Sequence, residues 1–230
     1  MAMTLNWGNA FWLARRQMRD TWTGYLISPM YFAFLGSVLA TDDTAIVNIA
    51  LPLMMMILLQ ATLSTRYFSL HEDNEVKRHQ LFLRSLPLSF GTIITARTIG
   101  MLVAGMMNVP AFFGWFWILT DHFSSMPEYL AWCVFWIGIA FCGLGLSLVQ
   151  EFTMNLRNWT LQNTVIIVAI IVVMVPLIWF GDFRAVDWTI NQAGEHPVLL
   201  ALAGIIAGTA GLVVGISMAV RGFRKRDYAK

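Results

Sequence analysis

The sequence predicts an all-α polytopic membrane protein with six transmembrane helices, an N-terminal amphipathic helix at the interface, and both termini in the cytoplasm. Three observations carry that expectation. Hydrophobic residues make up 58% of the chain and charged residues only 12%, about half the charge a soluble domain uses to cover its surface. The mean hydropathy is +0.65. Six apolar runs divide the chain, each reaching or approaching the about 20 residues that a helix needs to cross the hydrocarbon core.

The runs cover about 24–40, 45–64, 93–119, 129–149, 161–180 and 198–220. The first is short and holds Pro29, and the third is long enough to require tilt or protrusion. Helices are the expected form, because an open sheet strands backbone groups in lipid. Barrel strands alternate polar and apolar residues, and these runs do not. No stretch is long enough for a separate soluble domain, so residues 1–230 read as one transmembrane domain.

Ahead of the first run, Trp7, Phe11, Ala14 and Met18 recur at helical spacing, with Arg15, Arg16, Arg19 and Asp20 largely elsewhere around the helix. Trp12 and Trp22 suit the headgroup boundary. The reading is a helix lying in the interface over about 6–23, preferred to a polar leader. No small-residue cleavage site follows, so the segment reads as a retained anchor rather than a secretory signal.

Lysine and arginine set the orientation. Thirteen of the fifteen fall in the N-terminal segment, the second-to-third and fourth-to-fifth connections, or the tail. Arg184 alone lies in the opposite loops, and Arg97 sits just inside the third run, where it is expected to snorkel to the headgroups. No basic patch interleaves with aromatics, which argues against nucleic acid as a partner. Cys133 and Cys142, nine residues apart in one run, cannot meet as a disulfide and read as small buried hydrophobes. His71 and His79 lack the companions of a metal site, so no metal is expected.

The connection at 65–92 is the most polar part of the chain. Ser69-Leu70-His71-Glu72 fits a capping box, and Asp73 can pair with Lys77 along a helix. Pro87 ends that helix and Ser89 is placed to cap the third span. These features fit a short helix, a sharp stop and a new long helix, and they fit equally a solvated loop with some helix. Within the spans, Asn108 and Pro110 mark a kink in the third. Gly204, Gly208, Gly211 and Gly215 form a small-residue face on the sixth, expected to pack within the subunit. The connection at 181–197, with Asp182, Arg184, Asp187, Trp188 and Glu195, is amphipathic enough to fold back onto the membrane surface.

The stretch Phe82-Leu83-Arg84-Ser85-Leu86-Pro87-Leu88-Ser89, followed by Ile93-Ile94 and Ala96-Arg97, resembles the segment after the second span of ABC-2 type transporter permeases. Phe90 stands where that family often has a basic residue. The length, the six runs, the basic amphipathic N-terminal helix and the basic tail follow the same plan.

The resemblance implies a membrane subunit of an exporter that pairs with a second copy or a related permease and docks on a pair of cytosolic ATPases. ATP and Mg would then be bound by the partner, since this chain has no phosphate-binding Gly-rich loop with Lys-Ser/Thr and no cofactor is expected on it. Glu72, Asp73, Glu75, Lys77, Arg78, Leu81, Phe82 and Arg84 would form the coupling helix, with Arg15, Arg16 and Arg19 on a connecting helix beside it. Leu51, Met54, Met55, Met56 and Leu59 of the second span would face the path, with Ile166, Ile170, Met174 and Leu177 of the fifth. A methionine-rich apolar lining suits a hydrophobic or amphipathic cargo such as a peptide, lipid or drug. The expected location is a cell membrane, the bacterial plasma membrane. A membrane-embedded enzyme would need paired acids or histidines at the bilayer edge, and the spans hold no such cluster. A non-transporting scaffold or an immunity or sensor protein remains the alternative.

Overall fold

A computed structural model describes residues 6–20, 22–41, 45–58, 82–83, 85–153 and 184–225, with ten positions between 161 and 176. The described residues form helices α1 (Trp7–Asp20), α2 (Trp22–Thr41), α3 (Ala45–Leu58), α4 (Phe90–Leu119), α5 (Met126–Thr153), α6 (Ala185–Glu195) and α7 (Pro197–Lys225). No strand occurs among them. Four helices, α2, α4, α5 and α7, are long and apolar enough to cross a membrane. They correspond to the first, third, fourth and sixth apolar runs. The start of the second run is α3, and the described positions of the fifth are helical and mostly exposed. The rest of both runs lies outside the described residues.

Helices outlast the apolar runs that announce them. Apolarity marks only the hydrocarbon depth, while the hydrogen-bond ladder continues into the polar zone, so α5 runs to Thr153 and α7 to Lys225. Caps mark where two of them begin or end. Ser89 starts α4 and Thr120 stops it in extended backbone. Pro197 opens α7, where a missing N–H costs nothing. Pro29, Pro52 and Pro110 lie inside α2, α3 and α4.

The helices group into two blocks. One holds α4 with α2 and α1 packed on it; the other holds α5 with α7, α3 and α6. The tightest seam is α5 against α7. Lipid offers helices no hydrophobic reward for associating, so close backbone approach must supply the attraction. Glycines permit it. A Cβ placed on Gly208 would meet the Gly138 Cα at 2.9 Å, and one on Gly215 would meet the Gly145 carbonyl carbon at 2.6 Å. The Cys142 thiol donates to the Ala207 carbonyl across the same seam at 3.2 Å. The opposite face of α7, with Val198, Leu202, Ile206 and Val213, is exposed.

The end of the bundle away from α1 is built on aromatics. Trp132 of α5 is fully buried and stacks on Phe116 of α4 at 4.9 Å between centroids. Phe113, Phe123, Tyr129 and Trp136 surround it. The Tyr129 hydroxyl donates to the Phe113 carbonyl. The Trp132 indole N–H donates to Thr189 Oγ1 of α6 at 3.0 Å. The first turn of α6 has no side-chain cap of its own, and Asn48 of α3 supplies one, accepting from the Val186 N–H at 2.8 Å. The described part of the 181–197 connection thus folds back as α6 on the ends of α3, α5 and α7.

Candidate coupling site at the α1 end

The chain comes to α4 through a sharp turn. Phe82, Leu83 and Ser85 are helical, and the Ser85 hydroxyl donates to the Phe82 carbonyl at 2.8 Å. The Leu88 N–H then reaches back to the Leu86 carbonyl at 2.7 Å. That closes a three-residue turn centred on Pro87, whose fixed φ suits it. Ser89 follows with ψ of 148°, and its side chain accepts from the Thr92 N–H at 3.1 Å. Pro87 and Ser89 therefore act as expected: one ends a helix and the other caps the next.

Within this turn the side chains divide. Leu83 is buried in the core, while Phe82 beside it is 52% exposed. The buried leucine anchors the backbone and leaves the phenylalanine ring turned outward. The sequence reading singled out Phe82 and passed over Leu83, whose burial no local pattern announces.

The same corner holds α1. The Asn6 N–H donates to Thr92 Oγ1 at 3.3 Å, and Thr92 Oγ1 lies 2.7 Å from Ser89 Oγ. Ala10, Leu13 and Ala14 are buried, with α1 resting on α4. The expected apolar stripe divides between two surroundings. Trp7 and Phe11 are each 57% exposed, leaving Ala14 fully buried and Met18 half-buried from that set. Small residues face the neighbouring helix because they allow close approach, and the aromatics turn outward, where a membrane interface suits them. Arg15, Arg16 and Arg19 are all exposed, and the Arg16 guanidinium lies 5.7 Å from the Trp12 ring centroid.

Behind the turn, Arg97 does not snorkel. It is 8% exposed, and its Nε donates to Glu151 Oε2 of α5 at 2.8 Å. A carboxylate within reach is a stronger partner than a headgroup at the end of an extended side chain. Phe223, fully buried at the end of α7, joins Phe90 and Phe152 at 5.1 Å each. Exposed Arg221, Arg224 and Lys225 surround that contact. Both ends of the described chain and most of its described cations thus gather at one end of the bundle.

Removing the Ser89 hydroxyl isolates the contribution of the cap. Ser89→Ala is expected to cost about 1 kcal/mol, and Ser89→Asp to restore most of it. Thermal midpoints of the purified variants in one detergent check this.

A family model described as an ABC-2 family transporter protein matches residues 13–223. The chain belongs to the ABC-2 family of transporter membrane proteins. Neither the curated proteins nor the solved structures compared with it contain a match. The family match runs from within α1 to Phe223, so the seven helices named among the described residues of this ABC-2 protein fall under it in whole or part.

Of the coupling residues named from the sequence, Phe82 is described. Glu72, Asp73, Glu75, Lys77, Arg78, Leu81 and Arg84 lie outside the described residues, as do Leu59, Ile166, Ile170, Met174 and Leu177 of the path set. Leu51 and Met55 of the ABC-2 chain are fully buried in its own core, whereas Pro52, Leu53 and Met54 are half-buried. Asn108, also fully buried, donates its amide to the Leu58 carbonyl at 2.9 Å and so ties α4 to α3.

Proposed function

We propose that this ABC-2 protein is the transmembrane subunit of an ATP-driven exporter in a cell membrane, the bacterial plasma membrane. It works with a separate pair of cytosolic ATPases and with a second copy or a related permease. Six crossings put both chain ends on the cytoplasmic side. In support, α5 ends at the α1 end of the bundle, while α6 begins at the far end. The chain therefore changes ends between Thr153 and Arg184, and likewise between α3 and Phe82. The cations at the α1 end favour the cytoplasm for that side.

The observation that carries the coupling proposal is the exposed Phe82 on a turn locked to α4. ATP binding draws the ATPases together, the docked segment at 70–85 moves with them, and the Pro87 turn and Ser89 cap pass the motion into α4 rather than absorbing it. The cargo is hydrophobic or amphipathic, in keeping with the apolar faces of the helices. Because Leu51 and Met55 are packed inside the subunit, they meet cargo only when the helices around them move apart.

Co-expression with a candidate ABC ATPase from the same operon tests the reading. Wild type is expected to co-purify with the ATPase and support turnover in lipid. Phe82→Ala with Arg84→Glu is expected to insert normally but weaken the complex about tenfold or more, the cost of losing one aromatic anchor. If wild type captures no ATPase, the exporter reading fails and a non-transporting scaffold, immunity or sensor protein replaces it.

A further inference from the structure

We propose that Arg97 and Glu151 form a clasp holding the two helix blocks together at the α1 end, and that the aromatic cluster around Trp132 is the hinge on which the blocks part. The clasp itself stands on the geometry; its use in transport rests on the exporter reading.

The packing sets out the two bodies. The first is α4 with α1 and α2, and the second is α5 with α3, α6 and α7. Although α4 and α5 are consecutive and joined by a short connection, they pack little on each other compared with their partners inside each block. Their ties lie at the two ends and differ in kind. At the far end Phe113 and Phe116 of α4 enclose Trp132 of α5. Rings packed on that scale slide and tilt without exposing a charge, which is the behaviour of a hinge. At the α1 end α4 and α5 are tied by Arg97 to Glu151 at 2.8 Å, with both side chains 9% exposed, and beside this pair Phe90 of the first block meets Phe223 of the second, an apolar contact that holds no charge in place.

An ion pair there is a two-state contact. Closed, each charge satisfies the other in a poorly hydrated site. Broken singly by mutation, it costs the remaining charge its contact across the two blocks. Arg97 lies only about two turns from the α4 cap at Ser89. Water and headgroups at the membrane edge can therefore take over both charges when the blocks separate, a route closed to a pair at mid-depth. The Asn108 bond to the Leu58 carbonyl is a second, uncharged tie between the blocks and carries less of the load.

The placement gives the pair a role. Leu83, Pro87 and Ser89 lead into α4, the helix that carries Arg97, with the Ser89 cap about two turns before it. Motion reaching the turn moves the second block with it while the clasp is closed, and opens the bundle from the α1 end once it is released. Arg97 and Glu151 are positioning residues in this scheme.

The test uses the full chain with Cys133→Ala and Cys142→Ala, in nanodiscs of three parts phosphatidylcholine to one of phosphatidylglycerol, with no ATPase. Spin labels go on Arg19→Cys and Arg224→Cys, exposed on different blocks at the α1 end, and separately on Leu119→Cys and Val198→Cys at the far end. Arg97→Gln is expected to broaden the Arg19–Arg224 distance distribution towards longer separations and leave the Leu119–Val198 distribution unchanged. The exchange Arg97→Glu with Glu151→Arg is expected to narrow it again. A distribution unmoved by Arg97→Gln overturns the clasp, and so does broadening at both ends together, which marks general loosening. An exchange as broad as the single variant overturns the ion-pair basis. With no ATPase present, none of these outcomes depends on whether the exporter reading holds.

Discussion

Gly145→Leu is expected to prevent α5 and α7 from packing, so that no monodisperse folded protein is recovered from the membrane. Two opposing terms decide this. Replacing a helical glycine normally gains up to about 1 kcal/mol of helix propensity. Against it stands the seam. Even a single methyl carbon on Gly145 would meet the Gly211 carbonyl carbon at 3.0 Å and the Leu212 Cα at 3.4 Å, with the Gly211 carbonyl oxygen closer still. These are backbone atoms, so the helix as a whole must move. Overpacking of that kind costs about 1–3 kcal/mol or more for small additions. Since lipid gives the separated helices no penalty to offset, clash wins at alanine and dominates at leucine. Gly114 is the control. A Cβ there meets nothing within 4 Å, so Gly114→Ala is expected to be neutral or stabilising. Recovery by size exclusion and the thermal midpoint of what is recovered separate the two sites.

Trp132→Ala is expected to be the most costly single truncation at the far end, at about 3–5 kcal/mol. The side chain is fully buried, touches rings on both α4 and α5, and holds α6 through Thr189. Trp132→Phe separates the parts. It keeps a ring for Phe116 to stack on and loses the indole donor, and one buried hydrogen bond contributes about 1 kcal/mol. Thr189 retains its own donation to the Val186 carbonyl at 2.8 Å, so no hydroxyl proton is stranded. Detergent-titrated unfolding followed by circular dichroism gives the two costs. Hydrogen exchange over 185–195 is expected to rise sharply with alanine and slightly with phenylalanine. An alanine variant as stable as wild type would remove the cluster from its place as a structural pivot.

The Ser89 cap, the Pro87 stop and the four long spans were legible beforehand because each depends on residues within a few positions of one another. Phe82 was named through its motif, but its exposure was not legible there. Whether Phe82 or Leu83 turns inward depends on which face of the turn meets α4. The α1 stripe divides for a related reason. Helical spacing groups Trp7 with Phe11 correctly, yet it cannot tell a face that packs on protein from one that meets lipid, because both are apolar.

What the sequence alone determined is what solvent imposes on a chain: which stretches are apolar enough to cross, where helices start and stop, and which end of the bundle collects the cations. The glycine row on α7 was visible in it as well. Tertiary structure decided the partners. Gly138 and Gly145 become the other half of that row only because α5 lies against α7, and Asn48 caps α6 only because α3 begins beside it. Arg97 meets Glu151 across 54 positions, which turns an expected headgroup contact into an internal one. A charge near the membrane edge takes the best partner within reach, and reach is a property of the folded bundle rather than of spacing along the chain.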